Sequence, residues 1–130
     1  MKETHPPFLR KGQNRILILS DDPELGYAMK NDLRRLGLEV DVNTGTHWHP
    51  ESPKSPPYDG IILDLDTRES NRFHVFRDLY AAYPHIPIVV VGAENMHYDF
   101  LFAFIGGAKD FLVKPVDSVC LKRLCLRLFL

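Results

Sequence analysis

The chain has 130 residues and a net charge of −1, with 45% hydrophobic and 25% charged residues, as expected for one globular domain with a packed core. This charge balance gives no support for the clustered positive surface that nucleic-acid binding needs, so we expect no direct contact with nucleic acid. No apolar run could span a bilayer and no signal-peptide pattern is present, so we expect a cytoplasmic protein without membrane contact. Cys120 and Cys125 fall on different faces of a predicted helix, which favours free thiols in a reducing compartment.

The beginning of the chain predicts a leader, a strand and a helix. Residues 1–14 are polar and contain prolines, so we expect a flexible leader before a single domain over 15–130. The apolar run 15–20 predicts a buried strand. Asp22-Pro23-Glu24 then combines a capping acid with a first-turn proline, which predicts a helix that ends at Gly37.

The middle of the chain predicts two further strands separated by an irregular segment. Residues 38–42 alternate between apolar and polar, as in a strand near the edge of a sheet. Four prolines lie between Gly45 and Pro57, so we expect a proline-rich loop where a second helix would otherwise stand. The apolar run 60–63 then leads directly into Asp64.

The remaining residues continue the alternation of helices and strands. Helices are predicted at 73–83, 95–105 and 117–129, and strands at 86–91 and 111–113. Strands that alternate with helices indicate a doubly wound α/β fold around a parallel sheet.

Charged residues follow three of the predicted strands. Asp21 and Asp22 follow the first, Asp64 ends the third, and Lys114 follows the last. The carboxyl ends of parallel strands share one edge of the sheet, where α/β proteins bind ligands, so these side chains are expected to converge. Crowded carboxylates favour a divalent cation and the lysine favours an anion, which together indicate a phosphoryl site. The alternative is that the aspartates merely cap helices or turns.

Four segments resemble a response-regulator receiver domain of two-component signalling. They are Ser20–Asp22, Tyr58–Asp64, Pro87–Ala93 and Gly107–Pro115, in the order and spacing of that family. The resemblance covers the chain from about Arg15 to the C-terminus. It implies the flavodoxin-like fold, a doubly wound five-stranded parallel sheet in the order 2-1-3-4-5.

The resemblance also implies a role for each site residue. Asp64 would accept a phosphoryl group from a sensor histidine kinase or a phosphotransfer protein, so the chain would modify its own aspartate rather than act as an enzyme. Mg²⁺ would be held by Asp21, Asp22, Asp64 and the backbone carbonyl of Asp66. Lys114 would pair with the phosphoryl oxygens and precede a cis peptide bond to Pro115.

Several positions depart from the family pattern at the residues that transmit the signal. Gly92 stands where the family carries a threonine or serine, and Thr67-Arg68 and Arg72 replace the usual Met-Pro pair and glycine. Phe111 occupies the position of the aromatic switch residue, with a plain core aromatic as the alternative. A second hypothesis is therefore a degenerate receiver that works as a phosphorylation-independent interaction or dimerisation module.

Two apolar segments predict a contact surface. Six consecutive apolar residues, Phe100–Ile105, cover the whole circumference of a helix, and the last helix is rich in leucine. We expect the last two helices and the fifth strand to relay the signal, to form a homodimer and to contact an attached or separate effector domain. The residues predicted at this interface are Phe100, Phe102, Phe104, Leu124 and Leu128.

Overall fold

Five parallel strands form the centre of the fold, and the computed structural model describes residues 14–44, 58–66 and 73–129. The strands are β1 (Arg15–Leu19), β2 (Glu39–Asn43), β3 (Gly60–Asp64), β4 (Ile88–Gly92) and β5 (Asp110–Val113). The helices in this part of the chain are α1 (Pro23–Arg34), α2 (Phe73–Ala82), α3 (His97–Ile105) and α4 (Ser118–Leu128). The sheet order β2-β1-β3-β4-β5 confirms the predicted flavodoxin-like topology.

The register of the sheet brings the carboxyl ends of four strands to one edge. Leu19 of β1 pairs with Leu63, and the next residue along β3, Asp64, pairs with Val91. Gly92 pairs with Val113, so Lys114 follows directly at the end of β5. The acidic end of β3 therefore lies between the ends of β1 and β4.

Each face of the sheet carries its own hydrophobic core. Alternate strand residues such as Ile16 and Ile62 join one core with α1 and α4, whereas their neighbours Leu17 and Ile61 join the other with α2 and α3. All five residues of β3 and of β4 are buried, which is typical of central strands covered by helices on both sides. This double burial explains why the strands appear in the sequence as continuous apolar runs.

The start of α1 agrees with the predicted capping sequence. Asp22 is the N-cap, and its Oδ1 accepts a hydrogen bond of 3.2 Å from the Leu25 N–H, while Pro23 occupies the first turn. Beyond the helix, Gly37 has a φ of 90°, a backbone conformation that favours glycine. The strand β4 begins at Ile88 rather than at Ile86, because Pro87 has no N–H to donate to the ladder.

Three predictions concern residues outside the described ranges. They are the leader, of which residues 1–13 are not described, the proline-rich loop at 45–57 and the departures at Thr67, Arg68 and Arg72. The two cysteines are free, with Cys120 exposed and Cys125 buried. No helix in the described ranges is long and apolar enough to cross a membrane.

The start of β3 packs tightly against the end of the chain, which gives a test of the fold. A Cβ atom added to Gly60 would lie 2.4 Å from ring atoms of Phe129, a side chain that is itself 6% exposed. We expect Gly60→Ala to lower the free energy of unfolding by roughly 1–3 kcal/mol through overpacking. Urea denaturation measures the loss, and combining it with Phe129→Leu should cost less than the sum of the two single changes. Strict additivity would contradict this contact.

Candidate functional site

The side chain of Asp64 lies at the centre of the predicted site and is completely buried. Its Oδ2 accepts hydrogen bonds from Lys114 Nζ at 2.9 Å and from Ser20 Oγ at 2.7 Å. Its Oδ1 accepts a bond of 3.0 Å from the backbone N–H of Asp66. The ends of β1, β3 and β5 thus each supply a partner to one carboxylate, as their alignment in the sheet requires.

Lys114 is held in place by the backbone at the end of β5. Its N–H donates to the carbonyl of Gly92 at 2.9 Å, and its peptide bond to Pro115 is cis, as the resemblance implied. Besides Asp64, the ammonium contacts Asp66 Oδ2 at 3.4 Å. The lysine therefore bridges two carboxylates at the rim of the site.

Ser20 is a member of the site to which the sequence analysis assigned no role. It and Asp64 are the two fully buried polar residues in the described part of the chain. The Ser20 hydroxyl donates to Asp64 and accepts a bond of 3.1 Å from the Asp22 N–H. The position of Ser20, directly before Asp21 and Asp22, is the one feature of the sequence that could have indicated its role. Only the folded structure shows that its hydroxyl points at Asp64.

The acidic residues after β1 differ in their surroundings. Asp21 is partly buried, whereas Asp22 is exposed and its Oδ1 is committed to the cap of α1. In the described ranges no three His, Cys, Asp or Glu side chains come close enough together to hold a metal ion. The predicted ligand set still fits Mg²⁺, because this ion takes oxygen donors from one or two carboxylates and completes its shell with waters. The Asp21 and Asp64 carboxylates and the Asp66 carbonyl supply such donors.

Burial and charge compete in setting the protonation of the site. Burial raises the pKa of Asp64 above its ordinary value, although Lys114, Ser20 and the Asp66 N–H all favour the carboxylate. For Lys114, burial works to lower the pKa, but the bonds and charges of Asp64 and Asp66 outweigh it and leave the pKa raised. The ammonium thus stays charged beside a carboxylate whose ionised form is costly.

The wall of the site at the end of β4 is apolar. A Cβ atom on Gly92 would lie 3.0 Å from the ring of Phe100 and 3.2 Å from the sulfur of Met96. These two side chains occupy the space beside the missing threonine or serine. Phe100 in turn stacks on Phe111, with ring centroids 4.7 Å apart. Phe111 is 40% exposed, so the alternative reading of it as a core aromatic is wrong.

The predicted interface residues separate into two groups. Phe102 and Phe104 are 58% and 52% exposed, as a contact surface requires. Phe100 and Leu124, by contrast, are 6% and 8% exposed, and Leu128 packs against the core from a partly buried position. Assigning Phe100 and Leu124 to an open surface was wrong, because the faces of α3 and α4 that carry them are turned towards the sheet.

An apolar groove lies between α3 and β5. Its volume is about 420 Å³. It is lined by Glu94, His97, Phe100, Leu101, Phe104, Phe111 and Val113. Since Phe100 also packs beside Gly92, the groove and the charged site share one aromatic side chain.

Residues 16–125 match the family model of the response regulator receiver domain. The chain therefore belongs to the family of receiver domains found in the response regulators of two-component systems. Receiver domains generally bind Mg²⁺ and interact with histidine kinases. The membership rests on this match, which covers most of the chain.

Curated relatives of similar sequence agree with this family. The transcriptional regulatory protein QseB of Haemophilus influenzae is 28% identical over 101 residues, which are 78% of this chain and 46% of QseB. Response regulator ArlR of Staphylococcus epidermidis is 29% identical over 102 residues, again 78% of this chain and 46% of the relative. The chain thus spans about half the length of these relatives.

Among solved structures, the chemotaxis protein CheY4 of Vibrio cholerae superimposes with a TM-score of 0.73 at 18% identity, over 89% of this chain and 98% of that chain. A receiver domain protein of Clostridium thermocellum gives a TM-score of 0.69 at 19% identity, over 88% and 95% of the two chains. At these identities the likeness shows the fold.

The buried charge of Asp64 predicts that its amide variant is more stable than the parent. Asp64→Asn keeps an oxygen for Ser20 and Lys114, but its NH₂ group then faces the Asp66 N–H and that hydrogen bond is lost. Because the variant also removes a buried negative charge, we expect the free energy of unfolding at neutral pH to rise by about 1 kcal/mol. Asp66→Asn is the control, because the Asp66 side chain is 45% exposed and its replacement should change stability little.

The pH dependence gives the sign of this effect. The pKa of Asp64 is raised on folding, so the folded protein binds the proton more tightly than the unfolded chain does. The ionised Asp64 therefore lowers the free energy of unfolding when the pH is above its folded-state pKa. This loss of stability disappears as the pH falls through that pKa towards 3.8, the ordinary pKa of an aspartate. Denaturation of parent and Asp64→Asn across this range should show a stability difference that closes in acid. A difference that widens in acid would contradict the assignment.

Proposed function

We propose that Asp64 is the phosphoacceptor of this receiver domain and takes a phosphoryl group from a sensor histidine kinase or a phosphotransfer protein. The observation that carries the proposal is the contact of 2.9 Å between Asp64 and the Lys114 ammonium at the ligand-binding edge of the sheet. A lysine beside the attacking carboxylate can pair with the negative charge of an incoming phosphoryl group. Capping by the aspartates, the simpler alternative, accounts for Asp22 and for the bond between Asp64 Oδ1 and the Asp66 N–H. It does not account for Lys114, which contacts the other oxygen of Asp64.

In this reaction a carboxylate oxygen of Asp64 attacks the phosphorus of phosphohistidine. The new oxygen–phosphorus bond makes Asp64 an acyl phosphate. At the same time the phosphorus–nitrogen bond breaks, and the donor imidazole leaves with the electron pair and takes up a proton. Lys114 pairs with the phosphoryl oxygens, and the N–H of Asp66 holds the carboxylate in position. The chain transfers the group to its own side chain and acts on no separate substrate.

Mg²⁺ belongs to the proposed active form. It would be held by the carboxylates of Asp21 and Asp64 and the carbonyl of Asp66, and the neighbouring Asp22 would contribute its second carboxylate oxygen. When bound, the ion neutralises charge on the phosphoryl oxygens. It also offsets the mutual repulsion of the carboxylates around Asp64.

The output surface of the proposed signalling protein is the face formed by α3, β5 and α4. Exposed apolar side chains on α3 favour a homodimer, and the length of the relatives favours an effector domain, attached or separate, that contacts the same face. A cytoplasmic location follows from the histidine kinase or phosphotransfer partner and agrees with the two free thiols.

The phosphoacceptor hypothesis predicts a single modification. Incubation with acetyl phosphate, or with a kinase, in the presence of Mg²⁺ should add one phosphoryl group to the parent and none to Asp64→Asn, as measured by intact mass. Removal of Mg²⁺ with a chelator should abolish the labelling. If the parent gains no phosphoryl group from any donor while partner binding persists in Asp64→Asn, the degenerate interaction module is the correct interpretation.

The carboxylates near the site predict slow labelling by small anionic donors. Asp66 competes for the Lys114 ammonium at 3.4 Å, and Glu94 lies two residues beyond Gly92. Neutralising either one should increase the rate of labelling by acetyl phosphate about two- to fivefold, since both charges are screened by solvent. Asp66→Asn and Glu94→Gln are compared with the parent at low and high salt. Equal rates in all three proteins would exclude this electrostatic effect.

The exposed apolar side chains of α3 predict self-association without phosphorylation. Sedimentation of the unmodified protein at micromolar concentration should give a mass above that of the monomer, and Phe104→Glu or Phe102→Glu should restore the monomer. Tyr27→Glu is the control, because Tyr27 is a similarly exposed aromatic residue, at 51%, on α1. A parent that sediments as a monomer, with the same mass as Phe104→Glu, would contradict the dimer.

A further inference from the structure

The side chain of Met96 closes on the backbone at the end of β4. Its sulfur accepts a hydrogen bond of 3.3 Å from the Ala93 N–H, while the Met96 N–H donates to the Ala93 carbonyl at 3.0 Å. Met96 is also the N-cap residue of α3, and its carbonyl accepts from the Phe100 N–H at 3.1 Å. Met96 thus joins the end of β4 to the first turn of α3, and its thioether sulfur accepts the hydrogen bond of the Ala93 amide.

The direction of the Ala93 N–H follows from the ladder of the sheet. The Val91 carbonyl accepts from the Leu65 N–H at 2.7 Å, so the hydrogen-bonding groups of Val91 face β3. The Gly92 carbonyl accepts from the Lys114 N–H, so Gly92 faces β5. Successive residues of a strand alternate between their two neighbours. Ala93 is the first residue after β4, and if it continues this alternation its N–H lies on the side of β3, which ends at Asp64.

The site has lost another donor at this end of the sheet. Gly92 has no side-chain hydroxyl, and the ring of Phe100 and the sulfur of Met96 leave little room for one. The oxygens of a phosphoryl group on Asp64 are strong hydrogen-bond acceptors and favour nearby N–H donors. Lys114 serves one oxygen, and the Ala93 N–H is the adjacent donor on the β4 side. In the unmodified protein that N–H is occupied by the Met96 thioether.

We propose that Met96 is a displaceable cap on the Ala93 N–H, and thereby a positioning residue that slows phosphorylation of Asp64 and connects the site to α3. This rests on the proposed phosphoacceptor function. A thioether sulfur is a weak acceptor, so a phosphoryl oxygen replaces it at the N–H. Release of the thioether frees the side chain of the N-cap residue of α3. The site therefore reaches the apolar groove through Met96 and Phe100 rather than through a hydroxyl at position 92.

A size-conserving substitution separates the hydrogen bond from the space that it fills. Met96→Leu keeps the apolar volume but removes the acceptor, so the Ala93 N–H is free and labelling by acetyl phosphate should be about two- to fivefold faster. Met96→Gln supplies a stronger acceptor and should label more slowly than the parent. Met29→Leu makes the same change in the core, where Met29 is 2% exposed, and should leave the labelling rate unchanged.

A second measurement follows the cap itself. The sequence contains three methionines, so ¹³C-methyl labelling gives few signals to assign. On phosphorylation of the parent, the Met96 methyl resonance should shift while that of Met29 stays in place. Amide exchange at Ala93 should be faster in Met96→Leu than in the parent before any phosphorylation, which tests the hydrogen bond independently of the chemistry at Asp64.

The outcomes distinguish the cap from the function on which it rests. If the parent is phosphorylated and Met96→Leu labels no faster, the proposal that Met96 caps the Ala93 N–H is wrong, whereas the phosphoacceptor function stands. A Met96 methyl signal that is unchanged by phosphorylation would likewise overturn the link to α3. If Met96→Leu and the parent both fail to label with every donor, the phosphoacceptor function is wrong, and the cap fails with it.

Discussion

The buried carboxylate of Asp64 is the constraint on which the site depends. Both faces of β3 are covered by helices, so the carboxylate that ends this strand lies out of contact with water. An ion in that position is costly unless partners surround it. The neighbouring strands meet that need because their ends lie beside β3 in the sheet. Ser20 arrives from β1 and Lys114 from β5, each bonded to the same oxygen.

The same arrangement makes the site responsive to charge. Burial pushes the Asp64 pKa upward while Lys114 favours the carboxylate, so the balance changes whenever charge is added near it. A cation that joins the carboxylates, or a phosphoryl group that draws the lysine away, alters that balance. Because ion pairs and hydrogen bonds hold the side chains of the site, their partners can change with little movement of the hydrophobic core beneath them.

At the end of β4 the chemistry changes from polar to apolar. Gly92 leaves space that Phe100 and Met96 fill, and Phe100 carries the contact on to Phe111 and the groove. Packed rings transmit displacement by contact, whereas a hydroxyl acts through a directed hydrogen bond. In this member of the family, packed apolar side chains therefore lie between the charged site and the groove, where a hydroxyl at position 92 is absent.

The sequence alone determined the order of the elements, the cap of α1 and the candidate residues Asp64 and Lys114, because strands buried on both faces and helix caps leave local patterns. The sheet order and the cis bond before Pro115 came from the family resemblance and were confirmed. Only the tertiary structure decided the role of Ser20, the burial of Phe100 and Leu124 and the cap formed by Met96. An all-apolar stretch of helix such as Phe100–Ile105 has no polar residues in its sequence that show which side faces solvent. Which side turns inward depends on the sheet against which it packs, and which hydroxyl or thioether meets a given atom depends on strands that are distant in the chain.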